Sequence, residues 1–302
     1  MSWSFEKLFE TGGRPLGGLA WDGEKMLFAD VNDNSIRSFN PKTRALNVER
    51  KFTNRVNGIA FGSDGTLYGC QEGSRRIIRM LSDGSSTATA TLLHDVPHNH
   101  PHLLVSDSKG HLFFTDCYHH LLASGPQVFP MLDHQSVLRL HQGPRPQSHW
   151  EIERITFDTT RPRGVALSPD EKILYVSDTT NEPGGLRQIR AYPILGDGSV
   201  GPFTVMHTFG EDYRGVHRGA EGMCMDQDGN LFAVAGSKKS GAGPMVYVFA
   251  PSGGMKEAHP LPEGLPANCA FGDAQGDSLY VTTEDGLLLR ATQIGSKGLT
   301  RL

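Results

Sequence analysis

The chain has 302 residues, with 29 Lys and Arg against 33 Asp and Glu and a formal net charge of −4. That balance lacks the basic footprint of a nucleic-acid binder, and no apolar run approaches membrane-spanning length. The first seven residues have neither a basic nor an apolar leader pattern, so a cytoplasmic protein with no nucleic-acid or membrane partner is expected. Cys70, Cys117, Cys224 and Cys269 stand singly, without CxxC spacing, and read as buried free thiols.

In chain order, residues 3–10 read as a solitary strand, after which one phrase recurs. It consists of a small residue, a short apolar run, a turn rich in Asp and Gly, and a second apolar run that often ends in a polar residue. The first runs fall at 18–21, 58–61, 103–105, 164–167, 222–225 and 268–271; the second at 26–30, 67–70, 112–116, 174–178, 231–234 and 279–282. Partly alternating segments at 35–39, 76–80, 188–192 and 246–249 supply outer strands. Pairs such as Asp64-Gly65, Asp83-Gly84, Asp197-Gly198 and Asp228-Gly229 mark tight turns, and no long stretch keeps a helical period.

Six units spaced by about 40 to 60 residues have the period of propeller blades. The expectation is therefore all-β: a six-bladed β-propeller occupying residues 1–302 as a single domain, with the amino-terminal strand completing the last blade so that no long edge stays exposed. In such a ring the residue before each small position projects into the central channel at one mouth. Down the repeats that column reads Gly17, Asn57, His102, Arg163, Glu221 and Ala267, with Asn268 beside the last. Polar groups opening otherwise apolar strands, in one register, mark the candidate site.

The segments 107–116, 163–178, 221–226 and 266–272, which carry phrases such as Arg163-Gly164-Val165-Ala166-Leu167-Ser168-Pro169-Asp170, resemble the gluconolactonase/regucalcin/senescence-marker-protein family of six-bladed propellers. The resemblance spans nearly the whole chain. It implies lactone hydrolysis at a channel that holds one divalent cation, usually calcium, on a first-blade Glu, an Asn and an Asp, with a third-blade Asn near the substrate. Aligned with those four positions stand Gly17, Arg163, Glu221 and His102.

A guanidinium has no lone pair to donate and stays charged, so Arg163 cannot replace a metal ligand. Three arrangements follow. Arg163 polarises a substrate carbonyl while Glu221 holds it or acts as a base; Arg163 and Glu221 form a structural pair that plugs the channel; or a metal is recruited differently, by Glu221 and His102 within a cluster in which His98, His100 and His102 alternate on one face of an extended segment and His119 and His120 follow the adjoining strand. Imidazoles with a carboxylate suit zinc or another transition metal better than calcium. Without a metal, His102 or His100 serves as general base.

The expected function is hydrolysis of a lactone or similar small cyclic ester, with catalytic His102, Arg163 and Glu221 and with Asn57, His100, Asn268 and Asp178 touching substrate. The alternatives are a non-hydrolytic enzyme on the same scaffold, an isomerase or lyase, and a protein that binds a small carboxylate without turnover. Asp30, Asp116 and Asp178 end second runs and either orient site residues or form turns. His217 and Arg218 either line the entrance or belong to an exposed loop, and a nucleophilic Cys117 would need a lowered thiol pKa.

Overall fold

The computed structural model describes residues 3–118, 130–143, 149–180 and 184–299. Six antiparallel four-stranded sheets form the blades of a propeller. From the channel outward, the first blade runs Leu16–Trp21, Met26–Asp30, Ser35–Phe39 and Leu46–Lys51. The next four follow the same path from innermost strands Val56–Phe61, His100–Ser106, Pro162–Leu167 and Ala220–Met225. The sixth comprises Pro266–Gly272, Ser278–Thr283 and Leu287–Ala291, and takes Phe5–Glu10 as its outermost strand, Phe5 opposite Ala291 and Glu10 opposite Leu287. Each innermost strand packs on those of its two neighbours, and the sixth returns to the first.

The core is six seams, one between each pair of adjacent blades. Tyr68, Cys70, Phe114 and Leu138 fill the seam between the second and third blades; Leu16, Phe28, Phe39, Tyr280 and Leu288 fill the one that closes the ring. Second strands lie in two seams at once, so they read as continuous apolar runs and not as alternations. At roughly 1.5–3 kcal/mol for each large apolar side chain fully buried, the seams supply the main drive for closure.

The small residue of the repeat has a steric cause. A Cβ on Gly58 would meet His102 O at 2.5 Å, one on Gly164 would meet Glu221 O at 2.3 Å, and one on Gly222 would meet the Cα of Asn268 at 2.5 Å. Neighbouring innermost strands approach too closely for a side chain there. In every blade the ladder between the first two strands also shifts register at this point, for example between Val56 and Ile59 and between Pro162 and Val165. Such a bulge re-aims a side chain. Here it frees the column residue from the sheet, and hydroxyls of the second strands bind the released carbonyls: Thr115 donates to Arg163 O at 2.9 Å, and Thr282 to Gly17 O. These hydroxyls are among the polar residues that interrupt or end the second runs.

As expected, segments 35–39, 76–80, 188–192 and 246–249 lie in the outer pair of their blades, as third strands; the fourth strands, such as Leu46–Lys51 and Met255–Pro260, are mostly polar and exposed and carry no apolar signal. Two sequence expectations need revision. The histidines do not alternate on one strand face: the third blade begins at His100 and is bulged between Pro101 and Leu104, while His98 precedes it, with Nδ1 2.9 Å from Asp116 Oδ1 and its ring edge-on to Phe114. His217 is buried rather than exposed, stacked on Phe209. His119 and His120 lie outside the described residues. The cysteines are free thiols, with the sulfurs of Cys224 and Cys269 3.6 Å apart. No helix among the described residues is long and apolar enough to cross a membrane.

Candidate active site at the charged mouth of the channel

The bulges deliver Asn57, His102, Arg163 and Glu221 to one cavity of about 230 Å³, which is also lined by Gly17, Arg55, Glu72, Ala267, Asn268 and Glu284. Gly17 leaves room for Asn57: a Cβ at Gly17 would stand 2.1 Å from Asn57 Oδ1. Two groups of side chains meet at this cavity, and all of their members line it except Arg218, which reaches it through Glu221 and Glu284.

The first comes from the second and third blades. The Asn57 carboxamide donates to Glu72 Oε1 at 2.8 Å, and its Nδ2 lies 2.8 Å from His102 Nδ1, which is itself 3.2 Å from the same carboxylate oxygen. Burial, reinforced by the charge of Arg163, holds the His102 pKa below the ordinary imidazole value, and the hydrogen bond that Glu72 accepts opposes that shift only in part. His102 is thus a neutral imidazole at neutral pH, its Nδ1 edge addressed by both an acceptor and a donor.

The second group is a closed ring of charges from the last three blades. Arg163 Nε donates to Glu221 Oε2 at 2.7 Å; Glu221 Oε1 lies 3.3 Å from an Arg218 terminal nitrogen, which donates to Glu284 Oε1 at 2.7 Å; Glu284 returns to within 3.8 Å of Arg163. Burial opposes ionisation of Glu221, but Arg163 and then Arg218 outweigh it and hold the carboxyl well below its usual range. Desolvation likewise works against the Arg163 charge and is overcome by Glu221, so the pair is ionised. Arg163 also points a terminal nitrogen at Cys117 Sγ, 3.8 Å away. Burial pushes the Cys117 thiol up to about 11, so the site has no reason to use it as a thiolate nucleophile.

Of the residues expected at the site, Asn57, His102, Arg163, Glu221 and Asn268 line the cavity; His100 and Asp178 do not. Asp178 is fully buried, accepts from the backbone N–H groups of Thr160 and Arg161, and pairs with Arg190 at 3.0 Å. Asp30 and Asp116 are bound in the same way to the segments around them, Asp30 by Arg14 and Arg37, Asp116 by His98 and Asn99 N. Their work is anchoring. Glu72, Glu284, Arg55 and Arg218 complete the site. Glu72 and Glu284 each follow the residue that pairs with the start of the innermost strand, Gln71 opposite Val56 and Thr283 opposite Pro266. Cys117 occupies the same place in the third blade, after Asp116 opposite Pro101. A second column, one or two residues beyond the second runs of these blades, was therefore the signal for Glu72 and Glu284. Among the described residues no group of three or more His, Cys, Asp or Glu side chains is arranged to hold a metal ion.

The family model for the SMP-30/gluconolactonase/LRE-like region matches residues 17–285. The chain belongs to this family. Among curated members, the gluconolactonase of Zymomonas mobilis is 26% identical over 295 residues, covering 90% of this chain and 76% of the relative. The lactonase drp35 of Staphylococcus aureus is 26% identical over 239 residues, covering 74% of this chain but 64% of its own length. Among solved structures, a Xanthomonas campestris gluconolactonase superposes with a TM-score of 0.78 at 25% identity, covering 96% of this chain and 89% of that one. Agrobacterium tumefaciens regucalcin, described as a calcium-binding protein, superposes with a TM-score of 0.72 at 15% identity over 99% and 98% of the two chains, a likeness of fold alone. Membership of this SMP-30/gluconolactonase family supports a lactone-hydrolase reading at family level.

Proposed function

We propose that the chain hydrolyses a lactone or a similar small cyclic ester at the charged mouth, without the divalent cation of regucalcin. The observation that carries this is the juxtaposition across one cavity of a neutral imidazole backed by a carboxylate and a guanidinium fixed by another carboxylate. Such a pair supplies the two things ester hydrolysis needs: a base for water and a positive group for the developing oxyanion.

In the step as drawn, the lactone carbonyl oxygen faces Arg163. His102, with its Nδ1 proton toward Glu72, takes a proton from water at Nε2 as the water oxygen bonds to the carbonyl carbon. The imidazolium is stabilised by Glu72, and the oxyanion by the guanidinium. Collapse breaks the ring C–O bond, and Nε2 returns the proton to the departing alkoxide, giving a hydroxy acid. The Asn57 amide beside Nδ1 favours the tautomer with the proton on Nε2, while Glu72 favours the other; a ring poised between them is suited to act first as base, then as acid.

A divalent cation does not fit the side chains that stand here. Both oxygens of Glu221 are engaged by guanidinium groups, and Arg163 holds a fixed positive charge within the column. Gly17 offers no side-chain donor, its carbonyl is taken by Thr282, and its side-chain space is filled by Asn57. No step is therefore drawn through a metal.

The test is a ring-opening assay against a panel of γ- and δ-lactones, followed by acid release, with elemental analysis of protein purified without chelator. Turnover lost in His102→Ala and in Arg163→Met, with no stoichiometric metal required, is the expected result. Absence of turnover across the panel would overturn the hydrolase reading in favour of a binder. Stoichiometric calcium needed for activity would overturn the role given to Arg163.

A further inference from the structure

The ring of charges contains one member unlike the rest. The side chains of Arg163, Glu221 and Arg218 are 4%, 6% and 11% exposed, but that of Glu284 is 39% exposed. Glu284 is also the looser of the two carboxylates that Arg163 meets, at 3.8 Å against 2.7 Å for Glu221. It sits on the turn that follows Ser278–Thr283, where its backbone is fixed by donation from its N–H to Leu265 O, and its part-exposed side chain borders solvent, toward which a change of rotamer would carry it. Were it to do so, terminal nitrogens of Arg163 and Arg218, both already aimed at Glu284 Oε1, would converge on an empty position at the cavity wall. Charge arithmetic points the same way: with Glu284 in place the two guanidiniums of the ring meet two carboxylates, and with Glu284 withdrawn one positive charge is unbalanced beside the cavity. Arg55, across the cavity, is already matched by Glu72 at 3.5 Å.

We infer that Glu284 is a placeholder for a carboxylate of the substrate, so that the ring-opened compound is a lactone carrying its own carboxylate, which displaces Glu284 and lies between Arg163 and Arg218. The inference rests on the lactonase reading only for the ring that accompanies the anion. Two guanidiniums presenting planar donors recognise a carboxylate oxygen pair better than any neutral substituent. The cavity of about 230 Å³ limits the ligand to a small ring with short substituents. Glu284 thereby sets specificity: it neutralises the subsite when empty and imposes a threshold that a neutral lactone gains nothing by crossing.

The experiment separates binding from turnover. Binding of 3-oxocyclopentane-1-carboxylate, which cannot hydrolyse, and of its carboxamide is measured by calorimetry on wild type, Glu284→Gln and Arg218→Gln, and hydrolysis of 5-oxotetrahydrofuran-2-carboxylate and its carboxamide is followed in parallel. Wild type is expected to bind the acid about tenfold more tightly than the amide, the size of one charge-assisted hydrogen bond of about 1.4 kcal/mol. Glu284→Gln should widen that preference several-fold and Arg218→Gln should abolish it, with amide binding serving as the check that each variant is folded. No preference for the acid in wild type and Glu284→Gln, whether both ligands bind equally or neither binds, overturns the inference even if neutral lactones are hydrolysed. Acid-selective binding without turnover of the acid lactone keeps the subsite and removes the hydrolase reading instead.

Discussion

The two halves of the mouth solve opposite problems. On the side of the second and third blades, burial keeps His102 uncharged, and Glu72 and Asn57 address its Nδ1 without locking it. On the side of the last three blades, burial is equally deep, yet Arg163 and Glu221 are both charged because each is the other's main stabiliser. The same desolvation thus yields a proton carrier where a group can neutralise itself, and a fixed dipole where it meets an opposite charge. On the proposed mechanism, chemistry that moves a proton belongs to the first half, and electrostatic stabilisation to the second.

Breaking the fixed half should have the largest effect. Arg163→Met leaves Glu221 buried with only Arg218 beside it, and a loss of about 3–5 kcal/mol of stability is expected by chemical denaturation together with at least a 10²-fold fall in kcat/KM. The double variant Arg163→Met/Glu221→Leu should regain most of the stability and none of the activity, which marks the pair as functional rather than structural. In the proton-carrying half, His102→Ala should cost about 10²–10⁴ in kcat with KM little changed, while the midpoint of unfolding moves much less than for Arg163→Met.

The halves also differ in pH response. Because the folded-state pKa of His102 is lowered, by burial and then by Arg163, the base stays unprotonated below the ordinary imidazole value, and the acid limb of kcat/KM should fall below pH 6.5. The unfolded chain then binds more protons than the folded one, so the contribution of His102 to stability is full above the unfolded pKa and is lost as pH falls from there toward the folded pKa. His217 acts in the same sense: burial, then His207, lowers it to about 4, and unfolding measured between pH 7 and 4 should show stability declining across that window. Glu72→Gln removes a group that raises the His102 pKa, so the acid limb should shift further down while kcat drops by about tenfold. The smallest effect belongs to the exposed arm of the fixed half: Glu284→Gln should alter stability by less than about 1 kcal/mol, read as an unfolding midpoint close to wild type.

The ring of blades was legible because its cause is local and repeated: a glycine where strands nearly touch, an apolar run, a tight turn. The column Asn57, His102, Arg163, Glu221 was legible for the same reason, since one bulge per blade releases the residue before each small position. Glu72 and Glu284 escaped because they lie two residues past their runs, where a chain reads as loop; only the sheet register shows that the position recurs. Arg218 was left open between the entrance and an exposed loop because its direction is set by Pro266 O and Glu284 of the sixth blade, far along the chain. His98 and Asp178 misled for a converse reason: a polar residue in an apolar setting is as useful for anchoring a strand as for touching a ligand, and here His98 faces Asp116 while Asp178 is consumed by the backbone of Thr160 and Arg161.

The sixth blade joins residues separated by nearly the whole chain, Phe5 beside Ala291 and Glu6 beside Arg290. During synthesis, the strand Phe5–Glu10 must wait, unpaired, until Leu287–Ala291 has emerged, and the seam between the first and last blades stays open to water throughout. Long-range closure of this kind is slow compared with hairpin formation inside a blade. The charged mouth is assembled last as well, because Glu284 and the carbonyl that steers Arg218 come from the blade that shuts the ring. A partly made chain accordingly has blades but not the complete charged mouth, whose last members arrive only when the circle closes.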